Sequence, residues 1–469
     1  MITLDIGRIY NLNDYDELAR MFLPRGAYEF VFEQAPASEG APAKLEKLRA
    51  LYDRLSRETG RLPPWGVLTG VKPLKLYASL SEGASGGAAA GVSAGGPDEN
   101  AGDENARDAA GTALARDYLV SAEKISLLRR TYLRQRAVLP PPAAGEVSLY
   151  IGIPFCPTRC AYCTFPAAVG TEKEMLRYLD ALYLEIGAAG AGMRDAGLRA
   201  ESVYIGGGTP TALGTGMLED LLARVNEELP LRTDGSTEFC VEAGRPDTIS
   251  YLKALVMARE GASRISINAQ SMRERTLSAI GRGHLASDMT EAFENARAAG
   301  IGIINTDVIA GLPGEGTEDF KYTIDGVAGL GPENITVHTL AIKKGSRVRE
   351  ADPEYSYSGG GRAEKMLRLA DERMAAGGLL PYYLYRQKQT VDNLENIGYA
   401  KDGLECVYNM RVMQERQTVV ALGAGANSKL YFPREDRIER VFNAADTGLY
   451  IERIEEMIER KRVIFNSKG

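Results

Sequence analysis

Cysteine, histidine and tryptophan are scarce in this sequence: its 469 residues include five cysteines, two histidines and one tryptophan. An odd number of cysteines without an export signal excludes a disulfide framework and indicates a reducing compartment, so we expect a cytoplasmic protein. The first residues, MITLDIGRIYNLNDYDELARMF, carry acidic side chains where a signal peptide needs an apolar core. The sequence also lacks an uncharged apolar run of about 18 residues, which predicts that no segment spans a membrane.

An excess of basic residues is absent as well. Lys and Arg number 56 against 63 Asp and Glu, which gives a net charge of −7 and an isoelectric point near 5.4. Nucleic-acid binding needs a concentrated basic face, so we expect no nucleic-acid partner. The hydrophobic fraction of 44% and the mean hydropathy of −0.21 are typical of a globular protein.

Changes in composition divide the chain into five segments. Residues 1–80 form an N-terminal region with ordinary globular patterning. Residues 81–115 are rich in Gly and Ala and have almost no large apolar side chains, which predicts a disordered linker. A helical connector is expected at 116–145, and its end is marked by the proline run PPPAAG. The main domain follows at 146–385, and 386–469 is predicted to be a C-terminal cap region on the substrate side.

The main domain alternates short β-rich runs with amphipathic helical stretches. The six β-rich runs are VSLYIGIP, SVYIGGGTP, TEFCVEAG, RISINAQ, INTDVIAGLP and NITVHTLA. Repeats of this kind predict an α/β fold with parallel strands, joined by right-handed crossovers. Ligands of such folds bind at the carboxyl ends of the strands. The pattern alone leaves open whether the sheet closes into a barrel.

Three of the five cysteines, Cys156, Cys160 and Cys163, lie in one loop after the first of these strands. Thiolates bind zinc or iron–sulfur centres. A structural zinc site usually has four protein ligands, and no nearby residue supplies the fourth. A [4Fe–4S] cluster held by three cysteines leaves one iron open to a small molecule. The sequence therefore favours an iron–sulfur site, with structural zinc as the alternative.

The spacing C-x3-C-x2-C at the end of a first strand resembles the signature of the radical S-adenosylmethionine (radical SAM) enzymes. In that superfamily the open iron binds S-adenosylmethionine. Longer stretches resemble the oxygen-independent coproporphyrinogen III dehydrogenases, particularly the HemZ branch: LYIGIPFCPTRCAYCTFPA, GGGTPT, RISINAQSM, DVIAGLPGE, VHTLAIK and NLENIGYAK. The resemblance implies a partial TIM-type (β/α)6 barrel as the radical SAM core, with an N-terminal α+β region and a C-terminal extension.

The resemblance also implies which residues bind the cofactors. The three cysteines would hold the [4Fe–4S] cluster. Ten other positions match contacts to S-adenosylmethionine: Tyr150, Tyr162, Gly207, Gly208, Thr209, Glu242, Gln270, Arg282, Asp307 and Ala341. No side chain is expected to act as a catalytic base, because the cluster and the cofactor carry the chemistry. Arg386 and Lys388 are candidates for binding substrate carboxylates. His284 and His338 are predicted to be structural, and Cys240 to be a small buried residue.

The implied reaction is the oxidative decarboxylation of coproporphyrinogen III propionates to vinyl groups, giving protoporphyrinogen IX. The implied partners are this tetrapyrrole and a low-potential electron donor such as flavodoxin or ferredoxin. The alternatives are a haem-binding chaperone or another radical SAM enzyme that acts on tetrapyrroles. Two positions depart from the characterised enzymes: Phe165 stands where they carry a further cysteine, and Gly152 where they carry histidine. Those enzymes use a second S-adenosylmethionine, so the number of cofactor molecules, one or two, stays open.

Overall fold

The computed structural model describes residues 1–35, 40–70, 72–85, 108–353, 355 and 360–466. Its strands, in chain order, are β1 Ile2–Ile9, β2 Tyr28–Gln34, β3 Glu146–Ile153, β4 Arg199–Gly207, β5 Glu238–Glu242, β6 Arg264–Ser266, β7 Ile303–Ala310, β8 Asn334–Thr339, β9 Leu380–Arg386, β10 Glu395–Ala400, β11 Val419–Leu422, β12 Asn427–Phe432 and β13 Arg437–Phe442. Its α-helices are α1 Asn13–Arg20, α2 Ala41–Thr59, α3 Pro73–Ser85, α4 Ala109–Tyr118, α5 Ala122–Val138, α6 Glu172–Asp195, α7 Thr215–Glu228, α8 Tyr251–Arg259, α9 Glu274–Ala279, α10 Ala286–Ala298, α11 Thr317–Gly329, α12 Arg347–Ala351, α13 Arg362–Ala376, α14 Val407–Gln414, α15 Thr447–Glu452 and α16 Ile454–Asn466.

The two ends of the predicted disordered linker, 81–115, fold as helices. Its middle, 86–107, lies outside the described residues. Its two ends are helical, because 81–85 belong to α3 and 109–115 belong to α4. The α4 helix begins early because the Asp108 side chain accepts a hydrogen bond from the Gly111 N–H (2.7 Å) and so satisfies the first turn.

The six predicted strands of the main domain are confirmed. They are β3 to β8, they pair in parallel in chain order, and each is followed by at least one helix. The complete sheet has the order β13-β12-β11-β3-β4-β5-β6-β7-β8-β10-β9. Within the described residues its first and last strands do not pair, so the (β/α)6 unit is an incomplete barrel with additional strands at both edges.

The first βα unit shows how the sequence specifies this arrangement. The β3 strand, EVSLYIGI, is buried on both faces, as is typical of a strand in the interior of a parallel sheet. The α6 helix begins with a capping box, in which the Thr171 and Glu174 side chains each bind the backbone of the other residue. Its buried stripe, which includes Tyr178, Leu182 and Ile186, packs against the sheet.

The predicted C-terminal cap region, 386–469, contributes strands to the sheet. The proposed boundary at 386 falls at the last residue of β9, and β11 pairs in parallel with β3, with Val420 opposite Leu149. The α16 helix packs on α6, where the Lys461 ammonium contacts the Glu185 carboxylate in the interior. This segment therefore covers the edge of the strand that leads into the cysteine loop.

The N-terminal region packs against the opposite edge of the sheet. β1 and β2 form a parallel pair that shares a small core with α1 and α2, in agreement with the expected α+β region. Trp65 and Lys124 connect this region and α5 to the sheet, since both donate to the buried Glu395 carboxylate on β10, at 2.6 and 2.7 Å. No helix in the described part of the chain is long and apolar enough to cross a membrane.

Candidate functional site

The carboxyl ends of β3 to β8 lie together at one end of the incomplete barrel, which we call the barrel mouth. The cysteine loop, residues 154–168, leaves β3 at this end. Backbone hydrogen bonds fix the loop at its base and in its middle: Cys156 N donates to Ala168 O (3.0 Å), which joins its two ends, and Ala161 N donates to Ile280 O (2.8 Å). The second bond joins the cysteine loop to the segment after α9, so two separate βα connections position the thiols.

The glycine segment after β4 makes the closest approach to the cysteine loop. A Cβ atom added to Gly208 would lie 2.4 Å from Phe155 O and 3.0 Å from Cys156 Sγ. Gly207 has a φ of +113°, which only glycine adopts readily. The Thr209 hydroxyl lies 3.4 Å from Cys156 Sγ. These predicted residues are therefore brought together with the first cysteine, and this contact requires glycine.

The three cysteine thiols lie close to one another. Burial raises the pKa of the Cys156 and Cys163 thiols, and the neighbouring cysteine side chains raise it further. Thiolates held in such a setting need a positively charged partner such as iron. Within the described residues no three His, Cys, Asp or Glu side chains converge as a single metal ion would require. A cubane cluster, in which three of the four irons would each take one of these thiolates, suits this spacing.

Glu242 ends β5 beside the glycine segment. A Cβ atom on Gly206 would lie 2.7 Å from Glu242 Oε2, so the carboxylate occupies the space that a side chain there would take. Burial and the nearby Asp307 charge raise the pKa of Glu242 to about 8, although a hydrogen bond from the Gly207 backbone opposes the shift. A carboxyl group in this position is suited to receive a cation.

Gln270 and Arg282 each carry a buried polar atom that has no partner among the described residues. Gln270 has a φ of +63°, and its N–H donates to Asp307 O (2.8 Å). Arg282 Nη1 donates to Asn268 O (2.5 Å), and its guanidinium lies beside the Tyr162 side chain. Among the described residues, Gln270 Oε1 and Arg282 Nε have no hydrogen-bond partner. Buried polar atoms are rarely left unsatisfied, so these two indicate a polar ligand at the mouth.

Asp307 and His338 form a pair that the sequence interpretation missed. His338 Nε2 lies 3.5 Å from Asp307 Oδ2, and its Nδ1 lies 3.4 Å from the Tyr385 hydroxyl. Burial opposes both shifts, but the pairing lowers the pKa of Asp307 and raises that of His338. Asn305 also donates to Asp307 Oδ1 (2.8 Å). The sequence predicts a structural role for His338, whereas the structure places it in the site; the strand-end motif VHTLA was the available signal.

Aromatic rings line the barrel below the mouth. Tyr204 and Tyr408 stack at 4.7 Å between centroids, and Tyr150 lies about equally far from both, at 6.4 and 6.5 Å. Tyr150 is thus part of a three-ring cluster, and burial beside the Glu242 carboxylate raises its pKa. Ala341 follows β8 and forms an isolated bridge with Thr390, which places it at the mouth.

The two predicted substrate-binding cations lie elsewhere. Arg386 is 3% exposed, and its guanidinium donates to the backbone carbonyls of Leu68 and Asn393. Lys388 pairs with Glu17 of the N-terminal region (3.0 Å). The structure thus gives no support for substrate contacts by these residues. They were attractive in sequence because YRQK is basic, but their partners come from far along the chain.

The remaining candidates are buried. Burial together with the Arg282 charge lowers the pKa of His284 to about 4, and neither of its ring nitrogens has a hydrogen-bond partner among the described residues, so the prediction of a satisfied structural histidine does not hold. Cys240 is buried as predicted. Cys406 is also buried, and its thiol lies 3.3 Å from Glu238 Oε1.

The residues at the mouth fit both expected cofactors. Three thiols share one loop, and the glycine segment is pressed against the first of them. Around them lie a carboxyl group with a raised pKa, an ionised Asp307 and the two orphaned atoms of Gln270 and Arg282. S-adenosylmethionine offers an ammonium, a carboxylate and ribose hydroxyls, and this set of side chains can pair with each of them.

Comparison with known proteins agrees with this fit. Residues 150–326 match the Radical SAM superfamily, which implies a [4Fe–4S] cluster and S-adenosylmethionine. The chain is 37% identical over 412 residues to the oxygen-independent coproporphyrinogen-III oxidase-like protein HemZ of Bacillus subtilis, covering 87% of this chain and 78% of HemZ. It is 30% identical to the haem chaperone HemW of the same organism, over 60% of this chain and 70% of HemW.

The solved structure of the Escherichia coli coproporphyrinogen III oxidase HemN has the same fold. It matches with a TM-score of 0.54 and 21% identity, over 70% of this chain and 73% of HemN. The similarity to HemZ covers 87% of the chain and so extends well beyond the superfamily domain at 150–326. The chain therefore belongs to the radical SAM superfamily and, within it, to the HemZ-like group of oxygen-independent coproporphyrinogen-III oxidase-like proteins.

Proposed function

We propose that this protein is a radical SAM oxidoreductase that decarboxylates propionate side chains of coproporphyrinogen III to vinyl groups, giving protoporphyrinogen IX. The observation that carries the proposal is the cysteine loop, which is held against Gly208 and surrounded by polar groups that match S-adenosylmethionine. The relationship to HemZ, whose name refers to coproporphyrinogen, supports the choice of substrate.

When held by Cys156, Cys160 and Cys163, the cluster together with S-adenosylmethionine would supply a radical able to remove one hydrogen atom from a propionate β-carbon. The propionate would then lose its carboxylate as carbon dioxide and one electron to an external acceptor, so that a vinyl group remains. A low-potential donor such as flavodoxin or ferredoxin would reduce the cluster, and we place the reaction in the cytoplasm.

The side chains of this protein bind and orient the cofactors. Cys156, Cys160 and Cys163 would hold three irons. Glu242 would take the ammonium group of S-adenosylmethionine, and Asp307, kept ionised by His338, would accept hydrogen bonds from the ribose. Other residues act at the same end of the barrel: Tyr150 and Tyr162 enclose the site, Gly207, Gly208 and Thr209 form the turn, and Gln270, Arg282 and Ala341 complete the wall.

We propose that one S-adenosylmethionine binds, rather than two. At the positions where characterised relatives carry a further cysteine and a histidine, this chain has Phe165 and Gly152. The Phe165 ring lies 3.3 Å from the Cβ position of Gly207, and Gly152 O accepts a hydrogen bond from the Tyr178 hydroxyl (2.5 Å). Neither position offers a polar side chain to a second cofactor.

Anaerobic incubation with coproporphyrinogen III, dithionite and S-adenosylmethionine tests the proposal. Vinyl porphyrins and carbon dioxide, identified by chromatography and mass spectrometry, are the expected products. Wild-type protein that cleaves S-adenosylmethionine but leaves all propionates intact would contradict the proposed reaction.

A haem chaperone is the second candidate, because the chain resembles HemW over the barrel. That function predicts tight haem binding and transfer without decarboxylation. The same incubation distinguishes the two, with haem binding measured on a parallel sample.

A further inference from the structure

A basic segment leaves the barrel mouth at the end of β8. Residues 343–349, KKGSRVR, contain four cations in seven positions, and we call this segment the basic loop. Lys343, Lys344 and Arg347 are exposed. The fourth cation, Arg349, is partly buried and donates to Gln389 Oε1 (2.7 Å).

The basic loop is fastened to the cysteine loop. Val348 N donates to Ala161 O (3.3 Å), between the second and third cysteines of the motif, and Arg159 Nη2 donates to Gly345 O (3.4 Å). At its start, Ile342 N donates to Gln389 O (2.9 Å). These bonds hold the three exposed cations beside the thiols and restrict how far they can move away.

The three exposed cations have no anionic partner among the residues that the structure describes. In the part of the chain that the structure describes, Lys343, Lys344 and Arg347 take part in none of the ion pairs, although the chain carries more acidic than basic residues. An isolated exposed cation is ordinarily just solvated. Three of them within five positions, fixed at the mouth of a site, instead offer several contacts to an anion, although the exposed carboxylates of Glu350 and Asp352 follow nearby.

From this arrangement we propose that the basic loop is the substrate-recognition element, and that Lys343, Lys344 and Arg347 bind carboxylates of a polycarboxylated substrate. The inference rests on the proposed function, since it gives the substrate's carboxylates the cationic partners that Arg386 and Lys388 do not provide. A ligand with carboxylates spread around its ring can contact several of these cations while one side chain reaches the cofactor. Affinity should therefore depend on the number of carboxylates and on salt.

Binding of porphyrins to the anaerobically reconstituted protein tests this inference. The probes are coproporphyrin III, a tetracarboxylate, protoporphyrin IX, a dicarboxylate, and etioporphyrin, which has no carboxylate; fluorescence reports binding. The loop variant is Lys343→Glu/Lys344→Glu/Arg347→Glu. The control variant, Arg199→Glu/Arg259→Glu/Arg434→Glu, reverses three exposed cations at the opposite end of the strands and makes the same change in net charge.

The loop variant should bind coproporphyrin III at least about 10-fold more weakly than wild type, since three charge contacts are lost. It should lose less affinity for protoporphyrin IX and none for etioporphyrin. The wild-type affinity should fall with added salt, and the loop variant should show a shallower dependence. Iron content and melting temperature should match wild type; if they do not, the triple Gln variant replaces the Glu variant. Lys343→Arg/Lys344→Arg/Arg347→Lys should restore binding.

Equal affinity of wild type and loop variant for coproporphyrin III would overturn the inference, as would an equal loss in the control variant or no binding by wild type. These outcomes are separate from the reaction itself. A loop variant with weakened binding, together with a wild type that forms no vinyl product, would retain the carboxylate site and reject the decarboxylation. A loop variant with unchanged coproporphyrin III binding, together with normal vinyl formation by wild type, would retain the decarboxylation and reject the carboxylate site.

Discussion

Replacement of Gly208 by alanine is expected to prevent cluster assembly while the rest of the sheet stays folded. The new methyl group would lie 2.4 Å from Phe155 O and 3.0 Å from Cys156 Sγ, well inside the contact distance. Phe155 cannot easily move, because its carbonyl accepts a hydrogen bond from Thr209 N (2.7 Å), and Gly208 N donates to Ile153 O (2.8 Å). The overlap must therefore separate two segments that these bonds hold together.

The size of the effect follows from these contacts. Each of the two backbone hydrogen bonds contributes about 0.5–1.5 kcal/mol net, and overpacking costs about 1–3 kcal/mol. The loop geometry required for the cluster is thus disfavoured by about 2–6 kcal/mol. Since Cys156 Sγ itself borders the added methyl, we expect this cost to appear as displacement of the first thiol relative to the other two.

Iron and sulfide content after anaerobic reconstitution measures the outcome, with circular dichroism and thermal unfolding as the test of folding. Gly216→Ala is the matched control: this glycine lies in α7, an added Cβ meets nothing within 4 Å, and alanine should stabilise the helix by up to about 1 kcal/mol. A Gly208→Ala protein with a full complement of iron and normal S-adenosylmethionine binding would refute the reasoning.

Four other substitutions have defined outcomes. Cys163→Ser should abolish the brown iron–sulfur absorbance, whereas Cys240→Ser, at a buried position away from the loop, should retain the iron content of wild type. Lys461→Met should lower the free energy of unfolding by about 3–5 kcal/mol in chemical denaturation, because it leaves the Glu185 carboxylate buried without its cation. A decrease below about 1 kcal/mol would contradict the assignment of this ion pair. The folded pKa of Glu242 is raised to about 8, so its contribution to apoprotein stability is present at acidic pH and is lost as pH rises from about 4.5 through 8. Glu242→Gln should remove this decline in stability, which amounts to roughly 3 kcal/mol at neutral pH. A variant with the same pH profile of stability as wild type would contradict the raised pKa.

Much of the main domain was predictable because its signals are local. Each of β3 to β8 is a short β-rich run followed by an amphipathic helix, and this order requires a parallel sheet. The pairing of β11 with β3 was not predictable in the same way. VVAL is a brief apolar run, and its partner, near Leu149, lies about 270 positions earlier in the chain. The extension of the sheet therefore depends on long-range packing that no local pattern records.

The site residues also fall into a group that the sequence predicts and a group that it does not. Cys156, Cys160 and Cys163 share one loop, so their spacing alone indicates a cluster. The pairing of His338 with Asp307 depends instead on the register of β7 and β8, where Asp307 lies opposite Thr336, two residues before the histidine. Motif spacing therefore predicts ligands that share one loop, whereas contacts between side chains on neighbouring strands can be identified only once the strand register is known.

The contrast between Arg386 and Lys344 shows why basic motifs are poor guides to substrate binding. Arg386 is buried, its guanidinium lies over the Trp65 ring (5.2 Å between Cζ and the centroid), and burial lowers its pKa to about 10. Release of its carbonyl partners to bind a ligand would leave those buried groups unsatisfied, at a cost of several kcal/mol. Lys344 gives up only water when it meets a carboxylate. A cation can bind a substrate when the exchange of its present partners for the substrate costs little free energy. That cost depends on its burial and its existing contacts, and the sequences YRQK and KKGSR do not reveal either.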